Sequence, residues 1–262
     1  MKRLHFRYEM ELTLDQKVEQ HHFLVRCRPA QNRVQQCIWF SRRIEPADTV
    51  DEVQDGFGNV GFAGVAQMPH DCLRVEAEGT VLVDLSASGR KEECHPMYRC
   101  PSVYTMPDAS IRDFLSETKA GSGSARIGLD ELIDLMNRLY GRFVYAKGST
   151  SVKTTAAEAF AGGRGVCQDY THVFLCLCRL AGVPARYVAG MMLGEGETHA
   201  WAEIWLEDHW IGMDPTNNRL VDETYIKLAH GRDFADGAVD KGCFLGFAGQ
   251  MQQIYVKVEE LV

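Results

Sequence analysis

Leu4, Phe6, Tyr8, Met10 and Leu12 alternate with polar neighbours at the start of the chain. A period of two places them on one face of an extended backbone and predicts a half-buried strand. Phe23, Val25 and Cys27 repeat the pattern, Cys37-Ile38-Trp39-Phe40 forms a short apolar run, and Leu73, Val75 and Ala77 alternate again before Val81-Leu82-Val83. The cluster Asp55-Gly56-Phe57-Gly58-Asn59 reads as a turn ahead of Val60, Phe62 and Val65. Residues 1 to about 95 are therefore expected to form short antiparallel strands in a sandwich or barrel. Pro96, Pro101 and Pro107 punctuate the connection that follows.

The period then lengthens. Asp108 is placed to cap a helix carrying Ile111, Phe114 and Leu115, and Gly121-Ser122-Gly123-Ser124 reads as a flexible loop. Leu129, Leu132, Ile133, Met136, Leu139 and Tyr140 stand at helical spacing, and Thr154 or Thr155 caps a short helix ending at Gly162-Gly163. The strongest helix runs from about Cys167 to Ala181, where Gly182 suits the left-handed C′ position and Pro184 forbids continuation. Strands return at Arg186–Met192, Thr198–Leu206 and Trp210–Met213, and Ile254, Val256 and Val258 alternate near the end. This organisation predicts an α+β chain: an N-terminal antiparallel β domain over residues 1–100 and a second unit of helices and strands over 101–262.

Composition narrows the function classes. Of 262 residues, 45% are hydrophobic and 24% charged, as in a soluble globular protein. No apolar run approaches the ~18 residues of a spanning helix, and the charged start Met1 to Arg7 has no apolar segment like that of a secretory signal. With 28 Lys plus Arg against 36 Asp plus Glu, the net charge of −8 argues against binding nucleic-acid backbones. The nine cysteines are an odd number with no CxxC spacing, so reduced thiols in the cytoplasm are expected, without a metal site. No cofactor motif is present, and oligomeric state is not legible.

One cysteine differs from the rest. Gly163-Arg164-Gly165-Val166 leads directly into Cys167 at the start of a helix. Unpaired N–H groups and the positive end of the helix dipole favour a thiolate there and can hold an oxyanion. Cys176 and Cys178, in mid-helix, lack both advantages. A nucleophile needs a base and the base an orienter. His199 opens a strand, and Glu207-Asp208 reads as a two-residue turn. That register would pair Leu206 with His209 and Trp205 with Trp210, bringing His199 and Asp214 to one face as diagonal neighbours. A one-residue slip would separate them. His172 follows Cys167 by five residues, ~140° around the helix, and is read as structural.

Gly165-Val166-Cys167-Gln168-Asp169-Tyr170, Ala181-Gly182-Val183-Pro184-Ala185-Arg186-Tyr187-Val188-Ala189-Gly190, His199-Ala200-Trp201-Ala202-Glu203 and Trp210 through Asp214-Pro215-Thr216-Asn217 resemble the transglutaminase-like superfamily of papain-fold thiol enzymes. Gly231-Arg232-Asp233-Phe234-Ala235-Asp236 and the N-terminal β region are similar to features of its bacterial members. The resemblance implies a papain-like catalytic domain over 101–262, with Cys167 as nucleophile atop a helix packed on an antiparallel sheet, His199 as general base and acid, and Asp214 as orienter. Gln168, Asp169, Trp201 and Arg232 are candidates for substrate contact, although Asp169 also suits the first turn of a helix and Arg232 an ion pair with Asp233. Acidic calcium loops of the animal enzymes are missing, which speaks against calcium dependence and crosslinking. The expected activity is hydrolysis of an amide or peptide bond through a thioester; the alternatives are acyl transfer to an amine and a catalytically silent binding module. Gly194-Glu195-Gly196-Glu197, just before His199, reads as a solvated acidic loop or a mobile cleft wall.

Overall fold

The computed structural model describes residues 1–87, 93–121 and 127–261. Residues 122–124 of the expected flexible loop lie outside them. The chain is α+β, with helices and a curled antiparallel half-barrel.

The first strand, β1, runs the whole way from Lys2 to Val25. Leu4, Phe6, Tyr8 and Met10 are buried by the alternation, as are Phe23 and Val25. The polar stretch Asp15-Gln16-Lys17 between them suggests two strands; in fact it spans an irregularity in the ladder between Thr13 and Val18. On either side of it the strand has different partners. β2 (Gln35–Glu45), β3 (Thr49–Gln54), β4 (Val60–Ala66) and β5 (His70–Val83) follow; β3 and β4 form a hairpin, β2 pairs with β5, and β5 lies on the first half of β1 and β4 on the second.

The connection holds two short 3-10 turns, Pro96–Arg99 and Val103–Thr105. Helix α1 (Ala109–Ser116) is capped by the Asp108 carboxylate, which accepts from Ile111 N at 3.0 Å. Next come α2 (Leu129–Arg142), β6 (Val144–Tyr145), α3 (Ala156–Gly162) and β7 (Arg164–Gly165). Helix α4 (Cys167–Leu180) is buried from Gln168 to Arg179, as expected for a helix packed on every side. It ends as the sequence dictates: Gly182 has φ +79, and Val183 N donates to Cys178 O at 2.9 Å, the Schellman pattern.

Helix α4 lies on a five-stranded antiparallel sheet. Its members are β8 (Ala185–Met192), β10 (His199–Leu206), β11 (His209–Asp214), β12 (Arg219–Leu220) and β13 (Tyr225–Gly231), in the order β12-β11-β10-β8-β13, while β9 (Gly194–Gly196) leaves this sheet. A short helix α5 (Phe234–Gly237) leads to β14 (Asp240–Leu245) and β15 (Gln250–Glu260). Both final strands pair with β1, and β9 pairs with β15. A division at residue 100 thus separates the sheets only in part. The alternation of Ile254, Val256 and Val258 announces a strand, but a period of two does not say which sheet receives it. The Gly194–Glu197 stretch, expected as a loop, is in large part this edge strand.

Strand β13 was not legible, because Lys227 and His230 interrupt its apolar residues. Its outer edge is covered by side-chain amides from the N-terminal sheet. Gln35 Oε1 accepts from Lys227 N at 2.7 Å and Gln35 Nε2 donates to Lys227 O at 2.8 Å. Asn59 repeats the device on His230, accepting from N at 2.8 Å and donating to O at 2.7 Å. Each amide replaces one rung of a missing strand and protects the edge. The turn Asp55–Asn59 exists to present Asn59: Asp55 Oδ1 accepts from Phe57 N and Asn59 N, and Asp55 Oδ2 accepts from Asn59 Nδ2 and from Arg26 Nη2. Removing a buried partner of this kind costs about 1–3 kcal/mol. Asn59→Ala is therefore expected to lower the free energy of unfolding by ~2 kcal/mol or more in urea titration; an unchanged midpoint would show that the amide does not join the two sheets.

Candidate active site

Helix α4 begins at Cys167 because Asp169 holds the preceding loop closed. Asp169 Oδ2 accepts from Val166 N at 2.8 Å and from Thr150 Oγ1 at 2.7 Å. The carboxylate lies so near Gly165 that a Cβ there would stand 2.5 Å from Oδ2, so only glycine fits. Burial raises the pKa of Asp169 in spite of these donors.

His199 opens β10 in the register that the two-residue turn requires. Leu206 pairs with His209, Trp205 with Trp210 and Ala202 with Met213, one step short of Trp201 opposite Asp214. Glu207 and Asp208 take φ +49 and +65, both positive as in a type I′ turn. His199 Nε2 donates to Asp214 Oδ2 at 2.7 Å. Cys167 acts on the same ring and, with Asp214, raises its pKa.

Asp214 has no exposed surface. Its Oδ2 also accepts from Tyr225 OH and Asn217 Nδ2, each at 2.8 Å. Its Oδ1 accepts from Thr216 N at 3.0 Å and Asn217 N at 3.1 Å. Burial works to raise the carboxyl pKa, but the His199 bond and charge together with the Asn217 and Tyr225 bonds bring it below its ordinary value. His199 shows the converse. Burial works to lower its pKa, but Asp214 and Cys167 outweigh that and raise it to about 10. The ring is thus an imidazolium at neutral pH.

Burial keeps the core thiols protonated. Burial pushes Cys27 and Cys176 up to about 12 and raises Cys178 further. All nine cysteines are unpaired. His172, fully buried, is lowered to about 3 by burial and the Arg179 cation; its Nε2 accepts from Phe234 N at 3.1 Å between the rings of Tyr104 and Tyr187.

The four further candidates fare differently. Trp201 is buried with its ring stacked beside His199 and edge-on to Tyr225. Gln168 Nε2 donates to Val152 O at 3.1 Å, which secures the neighbouring loop. Asp169 is spent on the helix start. Arg232 pairs with Asp236 at 2.8 Å, not with Asp233, whose carboxylate instead caps α5 through Ala235 N. The i,i+4 spacing on a helical turn favours Asp236, while adjacent residues point apart.

Sequence reasoning assigned no role to Asn217 or Tyr225. Asn217 was within reach of a local argument, since Asp-Pro-Thr-Asn invites a side-chain-closed turn. Tyr225 comes from another strand and left no signal near Asp214. Among the described residues no group of three or more His, Cys, Asp or Glu side chains is gathered to hold a metal ion, and no helix is long and apolar enough to cross a membrane.

Comparison with known proteins bears on the family and the fold. Residues 112–215 match the model of the transglutaminase-like superfamily, and residues 4–82 match that of the bacterial transglutaminase-like N-terminal region. An uncharacterized protein of Mycobacterium tuberculosis is 31% identical over 240 residues, covering 79% of this chain and 76% of its own. The crystal structure of a candidate cysteine protease from Cytophaga hutchinsonii superposes with a TM-score of 0.81 at 22% identity, covering 100% of this chain and 92% of that one, a likeness of fold. A protein-glutamine gamma-glutamyltransferase of Pseudomonas aeruginosa is 37% identical over 65 residues, 20% of this chain and 10% of its own. The chain belongs to the transglutaminase-like superfamily and carries the N-terminal region of its bacterial members.

The elevated His199 value fixes a sign. A pKa raised on folding stabilises the protein fully below the unfolded value of about 6.5, and that contribution is lost as pH rises toward about 10. In NMR titration the His199 ring is expected to remain protonated well past pH 7. Asp214→Asn should bring its midpoint down by at least one pH unit; a wild-type midpoint near 6.5 would contradict the charge assignment.

Proposed function

We propose that this chain is a cysteine-dependent hydrolase of amide or peptide bonds, with Cys167 as nucleophile, His199 as acid and base, and Asp214 as orienter. The observation that carries the reading is one imidazole, hydrogen-bonded to a buried carboxylate and raised in pKa by that carboxylate and by Cys167 at the first position of α4. An imidazolium beside the sulfur and a helix N-terminus beneath it both favour the thiolate.

The thiolate attacks the amide carbonyl carbon. The first N–H groups of α4 lack intrahelical acceptors and can receive the developing oxyanion. As the C–N bond breaks, His199 gives its proton to the leaving amine, and a thioester to Cys167 remains. Water then attacks the thioester with His199 taking its proton. The C–S bond breaks, the acid departs, and the thiolate and the protonated ring are restored. Asp214 holds the ring at a fixed angle throughout, and Tyr225, Asn217 and Thr216 hold Asp214. Reduced thiols and a cytoplasmic setting complete the reading, with a peptide or small amide as substrate and no nucleic-acid partner.

The similarity to the Pseudomonas aeruginosa gamma-glutamyltransferase supports a second reading, in which a primary amine replaces water. Excess amine added to a turnover assay separates the two: free acid as the main product upholds the hydrolase, and amide product alone overturns it.

Cys167→Ala is expected to lower the rate by at least ~10³-fold. Cys167 should also react with iodoacetamide at least ten times faster than the exposed thiols of Cys100 and Cys243. Equal rates would defeat the activated-thiolate claim and favour a silent binding module. Because the protonated ring serves the leaving amine, kcat/KM should hold through neutral pH and fall as pH approaches about 10; a fall centred near 6.5 would rule this role out.

A further inference from the structure

The inner face of the N-terminal half-barrel is apolar until it nears the irregularity in β1. Along β15 the inward positions run Val258, Val256 and Ile254, opposite Phe6, Tyr8 and Met10, and the next two are Gln252 and Gln250, opposite Leu12 and Leu14. Along β14, Asp240 stands opposite Val25 and Gly242 opposite Phe23. Apolar alternation thus gives way to polar groups at one end of the half-barrel, and together with His21 they line a cavity of about 260 Å³. A polar side chain turned inward is the exception that calls for a cause. Cys167, His199 and Asp214 do not line this cavity.

His21 is 2% exposed. Its Nδ1 lies 3.1 Å from His70 Nε2, and His70 Nδ1 lies 2.9 Å from Met68 O, an atom that only accepts. With both rings neutral, His70 Nδ1 donates to that carbonyl and His70 Nε2 accepts from His21 Nδ1. His21 Nε2 is then a bare acceptor, without a partner among the described residues. Burial lowers the pKa of His21, and His70 and His22 act in the same direction, so the ring stays neutral at pH 7. A Cβ at position 242 would stand 2.8 Å from His21 Nε2; glycine there leaves the nitrogen uncovered on the cavity wall. Asp240 precedes Gly242 by two residues and so shares its face, about 6.6 Å along the strand. It is half-buried and takes part in no ion pair among the described residues. Burial raises the pKa of its carboxyl, with Gln252 working against the shift. Lys241, between the two, turns to the opposite face, where its ammonium donates to Ala235 O. A carboxylate withdrawn from water without a counter-ion is costly, and so is a buried acceptor without a donor. A cavity of this size holds one small molecule, so the groups on its wall meet the same ligand.

We propose that this cavity is a binding site for a small primary alkylammonium ion. The ammonium donates to the Asp240 carboxylate and to His21 Nε2, and the hydrocarbon chain lies on Met10, Leu12 and Leu73. Gln250 and Gln252, both exposed, stand at the mouth. This site is separate from the proposed catalytic one and does not rest on the hydrolase reading.

Titration of the full chain with n-butylammonium chloride at constant ionic strength, followed through the imidazole resonances in NMR, tests it. The His21 ring signals should shift saturably, with those of His209, on an outlying turn, as internal control. n-Butanol has the chain without the charge and should bind at least ten-fold more weakly. n-Butyltrimethylammonium has the charge without an N–H donor and should bind at least five-fold more weakly. Asp240→Asn keeps the shape and removes the charge; it should weaken n-butylammonium at least ten-fold with His21 still reporting. No saturable shift, equal affinity for the ammonium and either of the other two probes, or unchanged affinity in the variant would each overturn the proposal. The comparison among probes uses wild-type protein and stands even where the variant fails to fold.

Discussion

A carboxylate with no exposed surface sets the terms for everything around it. Burying the charge of Asp214 is affordable only where donors replace the lost water. Five do so: His199, Tyr225 and the side chain of Asn217 at one oxygen, and the backbone of Thr216 and Asn217 at the other. These bonds close the turn after β11, draw β13 in through Tyr225 and fix the plane of the His199 ring. The same charge holds a proton on that ring against the effect of burial. Fold and chemistry thus depend on one balance, and loosening a donor disturbs both.

The position of Cys167 needs a second anchor, because α4 must present its N-terminus while its body is buried. Asp169 secures the start of the helix through Val166 N and Thr150. Arg179 secures its end. Its guanidinium, 7% exposed, donates to the carbonyls of Tyr98, Ala185 and Arg232 and to Thr105 Oγ1 at 2.6 Å. Burial lowers its pKa to about 10, with the Asp233 charge working against that shift. One side chain thereby ties the interdomain connection, the helix, the sheet and the loop after β13 together, so the helix cannot slide along its axis.

The N-terminal region is built into the core at several places. It receives the last two strands of the chain, takes β9 from beside His199 and covers the edge of β13 with two side-chain amides. Strand β9, within the matched core, and the strands of the N-terminal region therefore lie in one sheet, joined through β15.

The sequence by itself determined whatever depends on neighbours close along the chain. Gly182 and Pro184 ended α4, a glycine-rich loop put Cys167 at its start, and the two-residue turn at Glu207-Asp208 set a register that brings His199 to Asp214. Each follows from local dihedral preference and a fixed period, which a single stretch of chain encodes in full. Only the tertiary structure decided that β15 joins β1, that Asn59 and Gln35 serve as rungs for β13, 171 and 192 residues away, and that Tyr225 completes the shell of Asp214. It also decided against an Arg232–Asp233 pair and spent Gln168 and Asp169 on holding loops. Those outcomes depend on which surfaces meet once the core closes. No periodicity carries that information, because the partner of a polar side chain is chosen by burial rather than by its place in the sequence.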